Sequence, residues 1–263
     1  MTRRDRGGTR FPFLEGPLPL AFVHRGGSGR GAENSLSAFS AAIELGYRYL
    51  ETDVHTTSDD VAVVFHDPTL DRVTDRTGRI DRLPWSQVRK ARIAGSEPIP
   101  RLDELLTAFP DLRINIDMKS PGAVPGVTRA IQRAGALDRV CVASFVDARV
   151  AAARRMLGPR LCTSLGRRGV AALRLASFSP RASALLGVRA ACAQLPMAIA
   201  GRPLVDRRLL DTAHDLGMQV HVWTLNSPAE INYALDLGVD GIMTDAPTVL
   251  RDVLEDRGKW QSR

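Results

Sequence analysis

Residues 49–66 read YLETDVHTTSDDVAVVFH. Two apolar runs lie in this stretch, Tyr49–Val54 and Val61–His66, and only a few polar residues centred on Ser58-Asp59-Asp60 separate them. A parallel crossover needs roughly a dozen residues, so the second run is not the next strand of a parallel sheet. The stretch reads as a β-hairpin arm, Glu51–His66, growing from the end of a sheet strand. With Thr57 opposite Asp60, His66 falls opposite Glu51.

Outward from this hairpin, eight strand-like runs recur: Leu20–His24, Tyr49–Val54, Arg113–Met118, Val140–Ser144, Arg160–Leu165, Ala190–Leu195, Gln219–Thr224 and Gly241–Thr244. Helical patterns separate most of them. Ser35–Leu45 starts at a capping serine and stops at Gly46, Asp206–Leu216 stops at Gly217, and Pro228–Leu237 opens with proline and stops at Gly238. Strands alternating with helices imply a parallel sheet, and eight such units predict an α/β fold of the (β/α)8 TIM-barrel type. The doubly wound open sheet is the runner-up, since His24-Arg-Gly-Gly-Ser-Gly-Arg-Gly31 faintly resembles a dinucleotide turn. Its histidine and arginine at a strand end suit a catalytic rim better. Residues 67–110 are looser, with short amphipathic pieces at Trp85–Ala91 and Leu102–Phe109, and read as an insertion at the barrel mouth. The expected organisation is a disordered basic leader over 1–17, one barrel domain over 18–256 and a tail over 257–263.

Composition narrows the class. Lys+Arg number 36 against 29 Asp+Glu, a net charge of +7, and only Lys90, Lys119 and Lys259 are lysines. Aromatics make up 5% and do not interleave with basic runs, which disfavours a nucleic-acid surface. The three cysteines, Cys141, Cys162 and Cys192, lie in apolar runs and read as buried free thiols. No secretory apolar segment follows the basic N-terminus, and no run approaches a membrane span of about 18 apolar residues. A cytoplasmic protein without stable membrane anchoring is expected. Its oligomeric state is not legible.

Active sites of such barrels sit at the C-terminal ends of the strands. The first strand delivers His24 and Arg25 there. Glu51 and Asp53 come from the second, two apart and so on one face. Asp117 and Lys119 come from the third barrel strand, and the hairpin returns His66 and Asp67. Carboxylates sharing a face inside a barrel mouth repel one another unless a cation lies between them. Glu51, Asp53 and Asp117 therefore read as ligands of one divalent cation, Mg²⁺ or Ca²⁺, because hard oxygen donors suit these ions better than zinc. The plainer alternative pairs the three acids with Arg48, Arg25 and Lys119. His24 and His66 are the candidate proton carriers, and Arg25 and Lys119 the cations for a phosphate oxyanion. Trp223 ends a strand and offers either an apolar wall for substrate or plain packing. His55 reads as a flank of the site or a surface residue, and His214 as surface.

The segments HRGG (24–27), AENS (32–35), AF (38–39), ETDVHTTSDDVAVVFHDPTLDRVTDRTG (51–78), INIDMK (114–119), SF (144–145), VHVWTLN (220–226) and GVDGIMTDAP (238–247) together resemble the glycerophosphodiester phosphodiesterase family. The resemblance spans residues 20 to 250. It implies a barrel with a mouth insertion and a divalent metal held by Glu51, Asp53 and Asp117, with His24 and His66 catalytic. It also implies a small-molecule glycerophosphodiester substrate, cleaved to glycerol 3-phosphate and an alcohol. In the route implied, the substrate's own 2-hydroxyl attacks phosphorus and water opens the resulting cyclic phosphate. This chain departs from the family pattern at Ala32 and Ser35, where Pro and Thr are usual, at Asp117, where Glu is usual, and at Asp60, where Gly is usual. Two other functions compete: a lysophospholipase D acting on lysophospholipids, and a non-catalytic binding protein. The first wants apolar residues around the mouth, whereas the insertion carries Asp71, Arg72, Asp75, Arg76, Asp81 and Arg82. The second is expected to lack a histidine or a carboxylate, and this chain keeps them all.

Overall fold

The computed structural model describes residues 11–27, 32–179 and 190–260. Residues 1–10, 28–31, 180–189 and 261–263 lie outside this description, and with them most of the expected basic leader and part of the glycine-rich segment after the first strand.

The strands in chain order are β1 (Leu20–His24), β2 (Tyr49–Thr56), β3 (Ala62–Val64), β4 (Arg92–Ile93), β5 (Glu97–Pro98), β6 (Arg113–Met118), β7 (Val140–Ala143), β8 (Cys162–Thr163), β9 (Cys192–Pro196), β10 (Ala198–Ile199), β11 (Arg202–Pro203), β12 (Gln219–Trp223) and β13 (Gly241–Thr244). Eight of them among the described residues form one parallel sheet in the order β8-β7-β6-β2-β1-β13-β12-β9. A parallel bridge from Ser164 to Cys192 draws the two ends together. The Leu165 N–H to Cys192 O and Ala191 N–H to Thr163 O hydrogen bonds, both 3.1 Å, reinforce that seam. The sheet is thus a nearly closed eight-stranded barrel, the predicted fold, with its weakest stave at the two-residue β8.

The helices form where their caps were legible. Ser35 accepts a hydrogen bond from the Ala38 N–H and opens the Leu36–Glu44 helix. Asp206 caps Arg207–Asp215 through the Leu209 N–H. Ser227 and Glu230 make a reciprocal capping box on Pro228–Leu237, which ends at Gly238 with φ 93°. These helices bury one face each against the outside of the barrel, in a core that includes Leu50, Ile114, Val142, Val220 and Ile242.

The hairpin exists, but its register is one residue from the expected one. β2 and β3 pair antiparallel with Val54 opposite Val64 and Thr56 opposite Ala62, and the Thr57 N–H bonds Val61 O at 3.0 Å. The loop therefore holds three residues, Ser58 to Asp60, rather than two. Asp60 takes φ 62°, the left-handed position that closes a three-residue hairpin loop. Thr57 Oγ1 fixes the turn by donating to Asp59 Oδ1 at 2.6 Å and accepting from the Val61 N–H at 3.0 Å. Beyond it, the insertion carries its own small core of Phe65, Leu70, Ile80, Val88, Ile93 and Ile99.

The described part of the expected leader is not disordered. Residues 11–17 were assigned to it, yet Pro12–Leu14 form a 3₁₀ turn with Phe13 and Leu14 buried. Phe13 lies 5.6 Å from Tyr49 and 6.2 Å from Phe22, ring centre to ring centre. Both are barrel-strand residues of a cluster that also holds Cys141, Cys162 and Cys192. The cysteines are free and buried, as expected. At the other end, Trp260 packs edge-on against Tyr47 at 4.9 Å, so the tail is anchored at least that far. Phe13→Ala is expected to cost about 3–5 kcal/mol, as large-to-small changes in a packed core do. Denaturant unfolding checks this; a loss below ~1 kcal/mol would show that the segment does not belong to the core.

Candidate active site

The mouth is organised by register. In the β2–β6 ladder Asp53 is the partner of Asp117, and Glu51 the partner of Asn115. Asp53 and Asp117 therefore stand side by side, with Glu51 two residues below Asp53 on the same face. All three are buried. His24, at the end of β1, is the partner of Glu51 across the next ladder, and its Nε2 lies 3.6 Å from Glu51 Oε2.

The loop after β1 supplies one of the cations at the mouth. Arg25, Gly26 and Gly27 all have positive φ, at 54°, 85° and 87°. At Gly26 a Cβ atom would stand 2.7 Å from the Ala38 Cβ, so only glycine lets the loop pass the following helix. The turn brings Arg25 Nε to 2.9 Å from Asp53 Oδ2. Asn34, also left-handed at φ 59°, donates to the same oxygen at 3.1 Å and accepts from Thr52 Oγ1 at 2.7 Å. Lys119 Nζ sits between the aspartates, 2.8 Å from Asp53 Oδ1 and 2.6 Å from Asp117 Oδ2.

Two of the expected cations are thus engaged by the acids, which realises part of the plainer alternative. Glu51 is the exception. Burial and the neighbouring Asp53 carboxylate push its carboxyl up to about 8, with His24 and Lys119 offsetting them only in part. Burial acts on Asp53 in the same sense but loses to Lys119 and Arg25, and its pKa falls. For Asp117 burial wins over Lys119, and its pKa rises.

Each histidine is held by an aspartate. His24 Nδ1 donates to Asp245 Oδ1 at 2.6 Å, and His66 Nδ1 to Asp67 Oδ1 at 2.6 Å. Nε2 is the nitrogen that each ring turns away from its aspartate. Burial alone would lower the His24 pKa, but Glu51 and Asp245 more than offset it, and the net shift is upward. Asp67 is clamped in turn by Arg72, which draws its pKa down to about 2. Arg72 also grips Glu33 at 2.7 Å, and Glu33 reaches Arg25 at 3.3 Å.

His24, Arg25, Glu51, Asp53, His66, Asp117, Lys119 and Trp223 all line one cavity of about 980 Å³. Trp223 meets Phe145 edge-on at 5.9 Å. His55 is not a surface residue; it is buried, and its Nε2 donates to the His66 carbonyl at 3.0 Å. His214 likewise turns inward, with Nε2 2.7 Å from the buried Asp240. Sequence reading had not singled out Asp245, Asn34, Glu33 or Arg72 for the site. All four lie in the quoted segments, but no local spacing ties them to their partners far along the chain.

The donor set fits a hard divalent cation. Glu51 Oε2 and Asp117 Oδ1 are buried without a hydrogen-bond partner, Asp53 Oδ1 meets only the Lys119 ammonium, and Glu51 carries an elevated pKa that an added positive charge would bring down. Among the described residues no three His, Cys, Asp or Glu side chains are already drawn together as a coordination shell, and the Lys119 ammonium lies between the two aspartates.

The chain matches the model of the glycerophosphoryl diester phosphodiesterase family over residues 24–249. It belongs to that family. It is 40% identical to "Probable glycerophosphodiester phosphodiesterase 2" of Mycobacterium tuberculosis, over 97% of this chain and 98% of that protein. It is 29% identical to a lysophospholipase D of Homo sapiens, over 88% of this chain and 84% of that one. A crystal structure of a family member from Silicibacter pomeroyi superposes with a TM-score of 0.80 at 25% identity, covering 95% of this chain and all of the other.

Asp245→Asn should lower the His24 pKa, followed by NMR in metal-free protein. His24 titrates above its ordinary value when folded, so its pairing contributes stability fully present below pH ~6.5 and lost as pH rises through the folded pKa. The variant's stability deficit should therefore be largest below pH ~6.5 and shrink above it. Turnover should fall at least ~10-fold, since the aspartate sets the imidazole tautomer. An unchanged His24 titration would remove Asp245 from this role.

Proposed function

We propose that this protein hydrolyses soluble glycerophosphodiesters to glycerol 3-phosphate and an alcohol, with His24 and His66 as the proton-transfer pair. The observation that carries the reading is the matched pair of aspartate-held histidines, His24–Asp245 and His66–Asp67, facing one cavity that also contains Arg25 and Lys119. Two imidazoles at one phosphodiester suit a reaction that needs a base and an acid together. One takes the proton of the substrate's 2-hydroxyl as its oxygen attacks phosphorus. The other gives a proton to the alkoxide that leaves, and water then opens the cyclic phosphate. Arg25 and Lys119 would stabilise the charge that gathers on the phosphoryl oxygens.

Glu51, Asp53 and Asp117 would hold one Mg²⁺ or Ca²⁺, which when bound neutralises phosphoryl charge and polarises phosphorus. With Asp at 117, one methylene shorter than Glu, the choice of ion is open.

Purified protein should release glycerol 3-phosphate from glycerophosphocholine or glycerophosphoethanolamine, and a chelator should abolish release until Mg²⁺, Ca²⁺ or Mn²⁺ is restored. His24→Ala and His66→Ala are each expected to lower turnover ~100-fold or more, within the ~10²–10⁴ typical of acid–base groups. No metal-dependent release from any glycerophosphodiester would overturn the proposal. Glu51→Gln should weaken divalent-ion binding measured by calorimetry; an unchanged isotherm would take Glu51 out of the ligand set.

A further inference from the structure

All three cysteines of the chain meet a histidine inside the barrel. Cys141, Cys162, Cys192 and His221 stand on β7, β8, β9 and β12, four consecutive staves once the Ser164–Cys192 bridge closes the ring. Each lies two residues before one that lines the cavity, Ala143, Ser164, Gln194 or Trp223. All four therefore point inward, one layer beneath the cavity floor. None is more than 2% exposed. Cys141 and Cys162 are register partners, the Cys141 and Cys192 sulfurs are 3.9 Å apart, and Cys162 and His221 lie close enough to act on the Cys192 thiol. Sulfurs sharing one tetrahedral zinc at ~2.3 Å stand roughly 3.8 Å from each other.

The histidine is set to be a fourth ligand. The Gln219 side-chain amide donates to Leu14 O at 3.3 Å, which leaves its carbonyl oxygen turned to His221 Nε2 at 3.0 Å. A carbonyl only accepts, so Nε2 carries the ring proton. Nδ1 is buried without a hydrogen-bond partner, and protonating it as well would bury an unpaired cation. The ring is thus neutral, with an unused lone pair on Nδ1. An imidazole oriented by a carbonyl on its far nitrogen is how histidine ligates metal. Room for the ring comes from Gly241, where a Cβ atom would lie 2.8 Å from His221 Cδ2.

We propose that these four side chains form a structural zinc site, with Cys141, Cys162 and Cys192 binding as thiolates and His221 through Nδ1. Three sulfurs and one imidazole in a closed, water-free position suit structural Zn²⁺ rather than a hard cation. No finished shell is drawn together among the described residues; a cysteine closes on a common point by rotation about a single side-chain bond. On binding, each thiol releases its proton and each sulfur, like Nδ1, donates an electron pair, so nothing is oxidised or reduced. The ion would act where the barrel is weakest. β8 spans two residues, and an isolated bridge links that edge to β9. A metal joining β7, β8, β9 and β12 adds folding free energy at this seam. The proposal is independent of the chemistry at the mouth.

The test uses full-length protein produced, or unfolded and refolded, with Zn²⁺ and then dialysed against EDTA to strip the open mouth. Metal analysis should find one zinc per chain retained. Protein loaded with Co²⁺ instead should show an intense near-ultraviolet charge-transfer band, which thiolate ligands give and carboxylates do not. Glu51→Gln, altered only at the mouth, should keep the band. Cys162→Ser should weaken it, His221→Gln should shift the visible cobalt bands, and each should lower zinc affinity at least ~10-fold in chelator competition. Should either variant fail to fold, the wild-type cobalt spectrum decides alone. Wild-type protein with no retained zinc and no charge-transfer band would overturn the proposal. So would a Cys141–Cys192 disulfide in place of the ion, or a cobalt spectrum unchanged in both variants.

Discussion

The β2–β6 register sets Asp53 beside Asp117 in the buried mouth of the barrel, and much of the site is a response to that one juxtaposition. Two carboxylates this close in a dry environment cannot both stay ionised unless positive charge and hydrogen bonds reach them. Asp53 obtains Arg25, Lys119 and the Asn34 amide. Reaching it requires the left-handed backbone at Arg25 and Asn34 and the glycine pressed against Ala38. Such conformations cost free energy and persist where surrounding contacts over-determine them, and here charge-assisted bonds to a buried acid do so. Glu51 obtains no comparable partner, which is why its proton is held so far above the ordinary carboxyl range.

The histidines depend on a second layer of ionic contacts, and this layer ties distant parts of the chain together. Asp245 follows the last barrel strand and holds a residue 221 positions earlier. Asp67 follows the hairpin and is itself held by Arg72 of the insertion, which continues through Glu33 to Arg25. The insertion is therefore connected to both the hairpin histidine and the loop after β1. His55 adds a contact to the His66 backbone from β2. Imidazole positions fixed by packing and by a partner on the far nitrogen are what proton transfer at a defined oxygen requires.

Much of this was legible because charged residues interrupted apolar runs with a period of two. Glu51, Asp53, Asp117 and Lys119 could be placed on strand faces for that reason alone. The hairpin register could not, because it turns on whether Asp60 adopts a left-handed conformation, and aspartate tolerates either choice. His24 with Asp245 is a pairing made by barrel closure, with no signature in local spacing. The leader was misread by composition: the basic run up to Arg10 set the expectation, although Phe11-Pro12-Phe13-Leu14 is apolar enough to pack. The seam strand β8 is shorter than the run RLCTSL suggests, since only one bridge spans from Ser164 to β9 and strand assignment depends on pairing as well as composition.

The polarity of the insertion points toward a small soluble substrate, but several of its charges are engaged within the protein itself. Arg72 is occupied with Asp67 and Glu33, Asp71 accepts the Gly78 N–H, and Arg79 pairs with Asp81. These charges orient a histidine and brace the insertion's own turns, so they report little about what the substrate carries beyond its phosphate. The wall that does face the far end of the cavity comes from the helix after β8 and the ribbon after β9. In those segments apolar residues at helical spacing resemble ordinary core until the barrel shows that one helix face is left over. An apolar surface of that extent, open to water, is unfavourable unless something covers it.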